Sequence, residues 1–307
     1  MTVDSQVTPI LEAMASRPTM DSLPLDQTRQ QYDAMRLRGF GPDLIANSVE
    51  SLSLPGPSGK ISAKLYRCNK PERRGLLIQI HGGGFVAGSI AGYEKESHAF
   101  SVLGECNVLT FDYRLAPENK FPAAYEDTLA VISWAFNNAK ALDCDPRKVA
   151  ILGDSAGGNI AAAASITAKN CGWSLALQVL IYPNVDYTQT YPSMDMFADL
   201  PSLTAKGVAW AKSQYLSEED EQFDWRVSPM RAPGLKDLAP ALIITGECDV
   251  LRDEAEAYAS ALKAAGVDVT LRRYPGMPHG FFAMGAYVDQ ARLAVEETCA
   301  TLKEYLS

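Results

Sequence analysis

Histidine is scarce in this chain: only His81, His98 and His279 occur among 307 residues. Any imidazole base must be one of these three. The six cysteines, Cys68, Cys106, Cys144, Cys171, Cys248 and Cys299, never fall at C-x-x-C spacing. That argues against both a zinc site and a disulfide scaffold and leaves reduced thiols as the default. Cys248 stands beside Asp249, but no glycine-rich donor loop flanks it, and its place fits a packed strand end. Positive charge is also short, with 28 Lys and Arg against 37 Asp and Glu and a net charge of -9. Without a basic stripe, this balance disfavours nucleic acid and strongly anionic substrates. No apolar run is long enough to span a membrane, and no basic start leads into an apolar core, so the expected location is cytoplasmic. Internal repeats and low-complexity tracts are absent as well.

What is present is a hydrophobic fraction of 47%, enough for one large core. Strand-like runs occur at Ile61–Tyr66, Leu76–Ile80, Val108–Phe111, Val149–Leu152, Leu177–Ile181, Leu242–Thr245 and Val269–Arg273, with helical patterns between them. Such alternation predicts a mostly parallel sheet with helices on both faces, that is, an α/β fold. Glu50–Leu54 and Ile61–Tyr66 are expected to pair antiparallel across Pro55-Gly56-Pro57-Ser58-Gly59. Before them, about forty-five residues carry Leu, Met, Tyr and Phe at helical spacing, with helix starts at Thr8-Pro9 and Asp26.

Gly153-Asp154-Ser155-Ala156-Gly157 follows one apolar run and opens a small-residue stretch, giving strand, sharp turn and helix. A serine held in such a turn projects its hydroxyl above the sheet, which makes Ser155 a candidate nucleophile. On that scaffold the partners follow in the order serine, acid, histidine, and only His279 lies after Ser155. His279 sits among Pro275, Gly276, Pro278 and Gly280, as suits a rigidly presented loop residue. For the acid, Asp112 is excluded by order, while Asp186 and Asp249 both qualify. Asp249 is favoured, because it ends the strand nearer the histidine loop and precedes a helix. Asp253 and Glu254 are expected in that helix's first turn, where carboxylates complement exposed N–H groups. Asp154 reads as structural.

His81-Gly82-Gly83-Gly84-Phe85 leaves backbone N–H groups uncovered directly after a strand. Donors already aimed at a developing oxyanion stabilise acyl transfer without reorganising, so Gly83, Gly84 and the Ala156 N–H are expected to form an oxyanion hole. A phosphate loop is the weaker reading, since G-x-G-x-x-G spacing and a following Lys-Ser or Lys-Thr pair are missing.

Four motifs together resemble the hormone-sensitive-lipase-like group of α/β-hydrolases. They are His81-Gly82-Gly83-Gly84, Asp112-Tyr113-Arg114-Leu115-Ala116-Pro117-Glu118, Gly153-Asp154-Ser155-Ala156-Gly157-Gly158, and Asp249-Val250-Leu251-Arg252-Asp253-Glu254 followed by His279-Gly280-Phe281. They run through most of the chain in the family's order, departing only at Val250, where many relatives carry proline, and Ala255, where many carry glycine. The resemblance implies an α/β-hydrolase fold in one domain over residues 1–307, with a helical cap built from about residues 1–45 and 190–220. Leu200–Tyr215, with Trp210, supplies helical pattern to the second piece. It implies Ser155 as nucleophile, His279 as base and Asp249 as acid in a cofactor-free and metal-free carboxylesterase. The expected substrates are small esters with short or medium acyl chains. Phe85, Leu251 and Phe281 are expected near the substrate pocket, and a homodimer through the last strand and helix is a common arrangement in the group. Residues 113–118 read as a loop lock, with Arg114 and Glu118 as ties and Pro117 as stiffener. Amide or peptide hydrolysis on the same triad is the near alternative, and a non-catalytic receptor the distant one, because such receptors usually lose a triad member.

Overall fold

The computed structural model describes residues 2–41, 43–70 and 75–307. Met1 and Pro42, which fall inside the expected N-terminal cap piece, lie outside the described residues. Among the described residues eight strands form one sheet in the order β1-β2-β4-β3-β5-β6-β7-β8. The strands are β1 (Ser48–Gly56), β2 (Gly59–Arg67), β3 (Leu76–Ile80), β4 (Asn107–Phe111), β5 (Val149–Asp154), β6 (Leu177–Ile181), β7 (Ala241–Cys248) and β8 (Val269–Pro278). β1 and β2 pair antiparallel from Ser48–Arg67 to Gly56–Gly59, β2 joins β4 antiparallel, and every later pairing is parallel.

The central strands read as continuous apolar runs because both of their faces are covered. Along β3, Leu76, Ile78 and Ile80 enter one core while Leu77 enters the other; β5 and β7 split the same way, Val149 and Ile151 against Ala150 and Leu152, and Ile243 against Leu242 and Ile244. The first core is closed by α4 (Ala123–Asn137), α5 (Ala156–Asn170) and α8 (Arg252–Ala264), the second by α3 (Glu94–Leu103) and α9 (Asp289–Leu306). Each Leu or Ile sealed in this way contributes roughly 1.5–3 kcal/mol.

The N-terminal region forms α1 (Thr8–Ala15), with proline in its first turn, and α2 (Leu25–Gly39). Both helix starts therefore fall where Thr8-Pro9 and Asp26 placed them. Between β6 and β7 lie α6 (Pro192–Met196) and α7 (Ala205–Tyr215), the latter capped by Thr204 Oγ1, which accepts the Gly207 N–H at 2.9 Å. That cap explains why the helix begins at Ala205 rather than at Leu200. The loop over Asp112–Glu118 is tied outward rather than internally: Arg114 pairs with Asp127, and Glu118 with Arg29 of α2.

Several strands run past their expected limits, and β8 does so furthest. β8 does not stop at Arg273 but continues to Pro278, with Tyr274 opposite Gly246 and Pro278 opposite Cys248. Extra residues on one strand make a bulge, which bends β8 and re-aims the chain beyond its end. The first residue past that end is His279.

Candidate active site

Ser155 stands between β5 and α5 with φ 55° and ψ -118°, a conformation that non-glycine residues rarely adopt. Its backbone N–H donates to the Ile181 carbonyl at 2.9 Å, which anchors the turn to β6. The side chain is half-buried, so its hydroxyl is not sealed in the core. From the end of β8, His279 Nε2 reaches Ser155 Oγ at 2.9 Å, and its Nδ1 lies 2.8 Å from Asp249 Oδ2. A carboxylate accepts, so Nδ1 carries the proton and Nε2 is left to accept from the serine hydroxyl.

Asp249 is buried at the turn from β7 into α8, where its second oxygen accepts the Leu251 N–H at 2.9 Å. Both oxygens are thereby used, which fixes the carboxylate plane. Asp186, the competing acid, is occupied elsewhere: it accepts from the Thr188 N–H at 2.9 Å and hydroxyl at 2.6 Å, and from the Tyr191 hydroxyl at 3.0 Å. The Tyr182 ring lies against the His279 imidazole, with centroids 4.6 Å apart.

The glycine loop after β3 turns sharply, with φ 119° at Gly83, 63° at Gly84 and 64° at Phe85. A Cβ at Gly83 would lie 2.2 Å from the Ala87 carbonyl oxygen, so no other residue fits there without moving the loop. Ala156 is the first residue of α5, and the first N–H groups of a helix have no helical carbonyl to bind. The glycine loop and the head of α5 thus flank Ser155. Above them stands α7, whose Ala211 Cβ is 3.2 Å from where a Cβ on Gly84 would be.

The three side chains expected near the substrate pocket are packed against neighbouring residues. Phe85 stacks on Tyr215 with centroids 3.6 Å apart, Leu251 heads α8 inside the core, and Phe281 is packed between Tyr182 and Tyr274. All three are buried, with exposures of 1%, 2% and 0%. Their packing helps hold the glycine loop, the head of α8 and the segment after His279 in place.

His81 and His98 are both engaged elsewhere. His81 is buried and stacked on Tyr113, with Nδ1 2.9 Å from the Gly82 carbonyl, and burial lowers its pKa. His98 accepts the Ala46 N–H at 3.0 Å. Cys248 is buried, and its burial pushes the thiol pKa up, as suits packing rather than nucleophilic attack. Among the described residues no group of three or more His, Cys, Asp or Glu side chains is arranged to hold a metal ion.

The burial of several charged side chains, Glu254 and Arg36 among them, goes beyond what the sequence motifs indicate. Glu254 is in the first turn of α8 as expected, yet its Oε1 accepts from Asn184 Nδ2 at 2.8 Å and from the Val185 N–H at 2.6 Å. Burial drives its pKa up to about 8, more strongly than the backbone N–H donors of Val185 and Asp186 lower it. Its helical neighbours Leu251 and Tyr258, three before and four after, are apolar, and that pattern marks a buried face. Arg36 of α2 is another, and it joins Glu96 and Asp154. Phe40, four residues later and also buried, is the corresponding signal.

Residues 77–283, well over half of the chain, match a family model described as the alpha/beta hydrolase fold. The chain is 38% identical to the carboxylic ester hydrolase LipN of Mycobacterium tuberculosis, over 87% of this chain and 73% of that protein. It is 32% identical to the ethyl acetate hydrolase of Pseudomonas putida, over 94% and 92%. Among solved structures, the hyperthermophilic esterase of the archaeon Pyrobaculum calidifontis superposes with a TM-score of 0.93 at 36% identity, covering 99% of each chain. By family match, by relatives and by fold, the chain belongs to the α/β-hydrolases, in the hormone-sensitive-lipase-like group whose four motifs it carries.

Proposed function

We propose that this chain is a serine carboxylesterase whose catalytic residues are Ser155, His279 and Asp249. The observation that carries the reading is the continuous path from Asp249 Oδ2 through His279 to Ser155 Oγ, with both contacts below 3.0 Å. The relatives named above as ester hydrolases support the substrate class.

In the first half-reaction His279 Nε2 takes the Ser155 proton as Oγ bonds to the ester carbonyl carbon. The carbonyl oxygen becomes an oxyanion, received by the N–H groups of Gly83, Gly84 and Ala156. Asp249 keeps the imidazole in the right tautomer and stabilises its protonated form. The bond from carbonyl carbon to alkoxy oxygen then breaks, and the alcohol leaves with the proton from His279. Water, deprotonated by the same Nε2, attacks the acyl carbon; as its bond to Oγ breaks, the proton passes from Nε2 to Oγ, releasing the acid and restoring Ser155. No metal or organic cofactor enters these steps.

The helices α1, α2, α6 and α7 act as the cap in this reading, within a single domain. α7 lies over the glycine loop, and α2 is bonded to the segment just after it; the relative named an ethyl acetate hydrolase supports small esters with short or medium acyl chains. Buried cysteine thiols such as Cys106 and Cys299 suit a reducing compartment, and the cytoplasm is the proposed location. A panel of p-nitrophenyl esters that differ only in acyl length tests the proposal. Turnover highest at short or medium chains is the expected result; no turnover of any ester overturns it.

A further inference from the structure

α2 is not held to the body by apolar contact alone, since its buried side chains are Thr28 and Arg36. Its polar residues Arg29, Tyr32, Asp33 and Arg36 recur at helical spacing and meet the segment that carries the glycine loop. Arg29 donates to the Val86 carbonyl at 2.8 Å, the Tyr32 and Tyr93 hydroxyls bond at 3.1 Å, and Asp33 accepts from the Ser89 hydroxyl at 2.6 Å.

Arg36 reaches furthest. It is 3% exposed, pairs with Glu96 at 2.5 Å and Asp154 at 3.2 Å, and lies over the Tyr93 ring, 4.0 Å from its centroid. Asp154 Oδ1 in turn accepts the Gly82 N–H at 2.9 Å and the Tyr93 hydroxyl at 2.9 Å. The same Gly82 N–H also points at the Tyr93 oxygen, again at 2.9 Å. A Cβ on Gly82 would lie 2.6 Å from the Asp154 carbonyl oxygen and 2.8 Å from Oδ2, so only glycine lets this carboxylate in. Gly82 immediately precedes Gly83 and Gly84.

We infer that Arg36 is a positioning residue for the oxyanion-binding loop, because it holds Asp154 where that carboxylate, with Tyr93, fixes the Gly82 N–H. The inference rests on the esterase reading above. A buried carboxylate stripped of its cation is costly and reorients toward other partners, and Gly82 would move with it. Donors in an oxyanion hole act on charge that develops in the transition state, so their misplacement lowers kcat and leaves KM nearly unchanged. An N-terminal helix distant in sequence from the triad thereby contributes to the chemical step.

Two variants test this. The double variant Arg36→Gln/Glu96→Gln removes both charges and leaves a neutral amide at each position, and Tyr93→Phe removes one of the two acceptors of the Gly82 N–H without altering charge. The measurements are kcat and KM on p-nitrophenyl butyrate well below each variant's melting temperature, and the rate at which an organophosphonate labels Ser155. The expected result is a kcat lower by about tenfold or more in the double variant and by roughly threefold in Tyr93→Phe. KM should stay within about twofold in both, with labelling slowed by the same factor as kcat. Unchanged kcat in Tyr93→Phe overturns the inference even if the double variant fails to fold. A fall in melting temperature with unchanged kcat, or kcat and KM shifting together, overturns it too. Failure of the esterase reading is separate, since it appears in the unmodified chain as an absence of ester turnover.

Discussion

His279 Nε2 and Ser155 Oγ lie 2.9 Å apart although 124 residues separate them in the chain. Two features of the sheet bring them together. β5 delivers Ser155 at its carboxyl end through a strained turn, and the bulge between β7 and β8 carries the histidine past the strand end and over that turn. Ligand sites of open α/β sheets form at this edge, where loops at the carboxyl ends of the strands converge.

The choice of acid is open to a paired test. Asp249→Asn leaves the geometry but favours the wrong tautomer of His279, and the expected loss in kcat is about 10⁴-fold. Asp186→Asn touches only the local bonds to Thr188, Gln189 and Tyr191, and less than about tenfold is expected. Steady-state kinetics of both on one ester decides, and equal small losses would remove Asp249 from the mechanism.

Gly83→Ala should be severe, because the added carbon meets the Ala87 carbonyl at 2.2 Å in a backbone with φ 119°. With a donor displaced, kcat is expected to fall about 10²–10³-fold. Gly84→Ala, at φ 63° and facing only a side-chain carbon of Ala211, should be far milder. Its conformational cost is about 1 kcal/mol. The kcat and melting temperatures of the two variants, measured side by side, check this order.

Much of this architecture is written locally. The sheet was legible because strand faces buried on both sides leave runs such as Leu76–Ile80 and Leu177–Ile181, whose predicted and observed limits coincide. The histidine beside Ser155 was legible because chain order leaves one, whereas order left Asp186 and Asp249 both open as the acid. Long-range polar contacts were not legible. α2 looks like an ordinary helix with apolar periodicity, yet its buried face is carried by Arg36, and no local pattern names Glu96 and Asp154 as its partners. The same holds for Phe85 and Phe281, whose closure depends on Tyr215, Tyr182 and Tyr274, all brought in from distant segments.

Stability should depend on pH through Glu254. Its carboxyl rises on folding from 4.5 to about 8 because burial disfavours the charge. The folded state therefore binds the proton more tightly, so this contribution is full below pH about 4.5 and is lost as pH rises toward 8. Glu96 acts in the same direction, pushed to about 7 by burial against the pull of Arg36. Melting temperature is expected to decline between about pH 4.5 and 8, and Glu254→Gln, which stays neutral, should flatten part of that decline. A variant whose profile parallels the unmodified protein would show that Glu254 does not titrate in this range.

The central claim is that Ser155 is the nucleophile of a working triad. Its most direct test is to inactivate the protein with diisopropyl fluorophosphate while following ester turnover, then map the adduct by peptide mass spectrometry. One adduct per chain is predicted, on Ser155, formed in step with the loss of activity. Ser155→Ala should be unlabelled and slower by about 10⁶-fold. An adduct elsewhere that tracks inactivation, or undiminished turnover by Ser155→Ala, would contradict the claim.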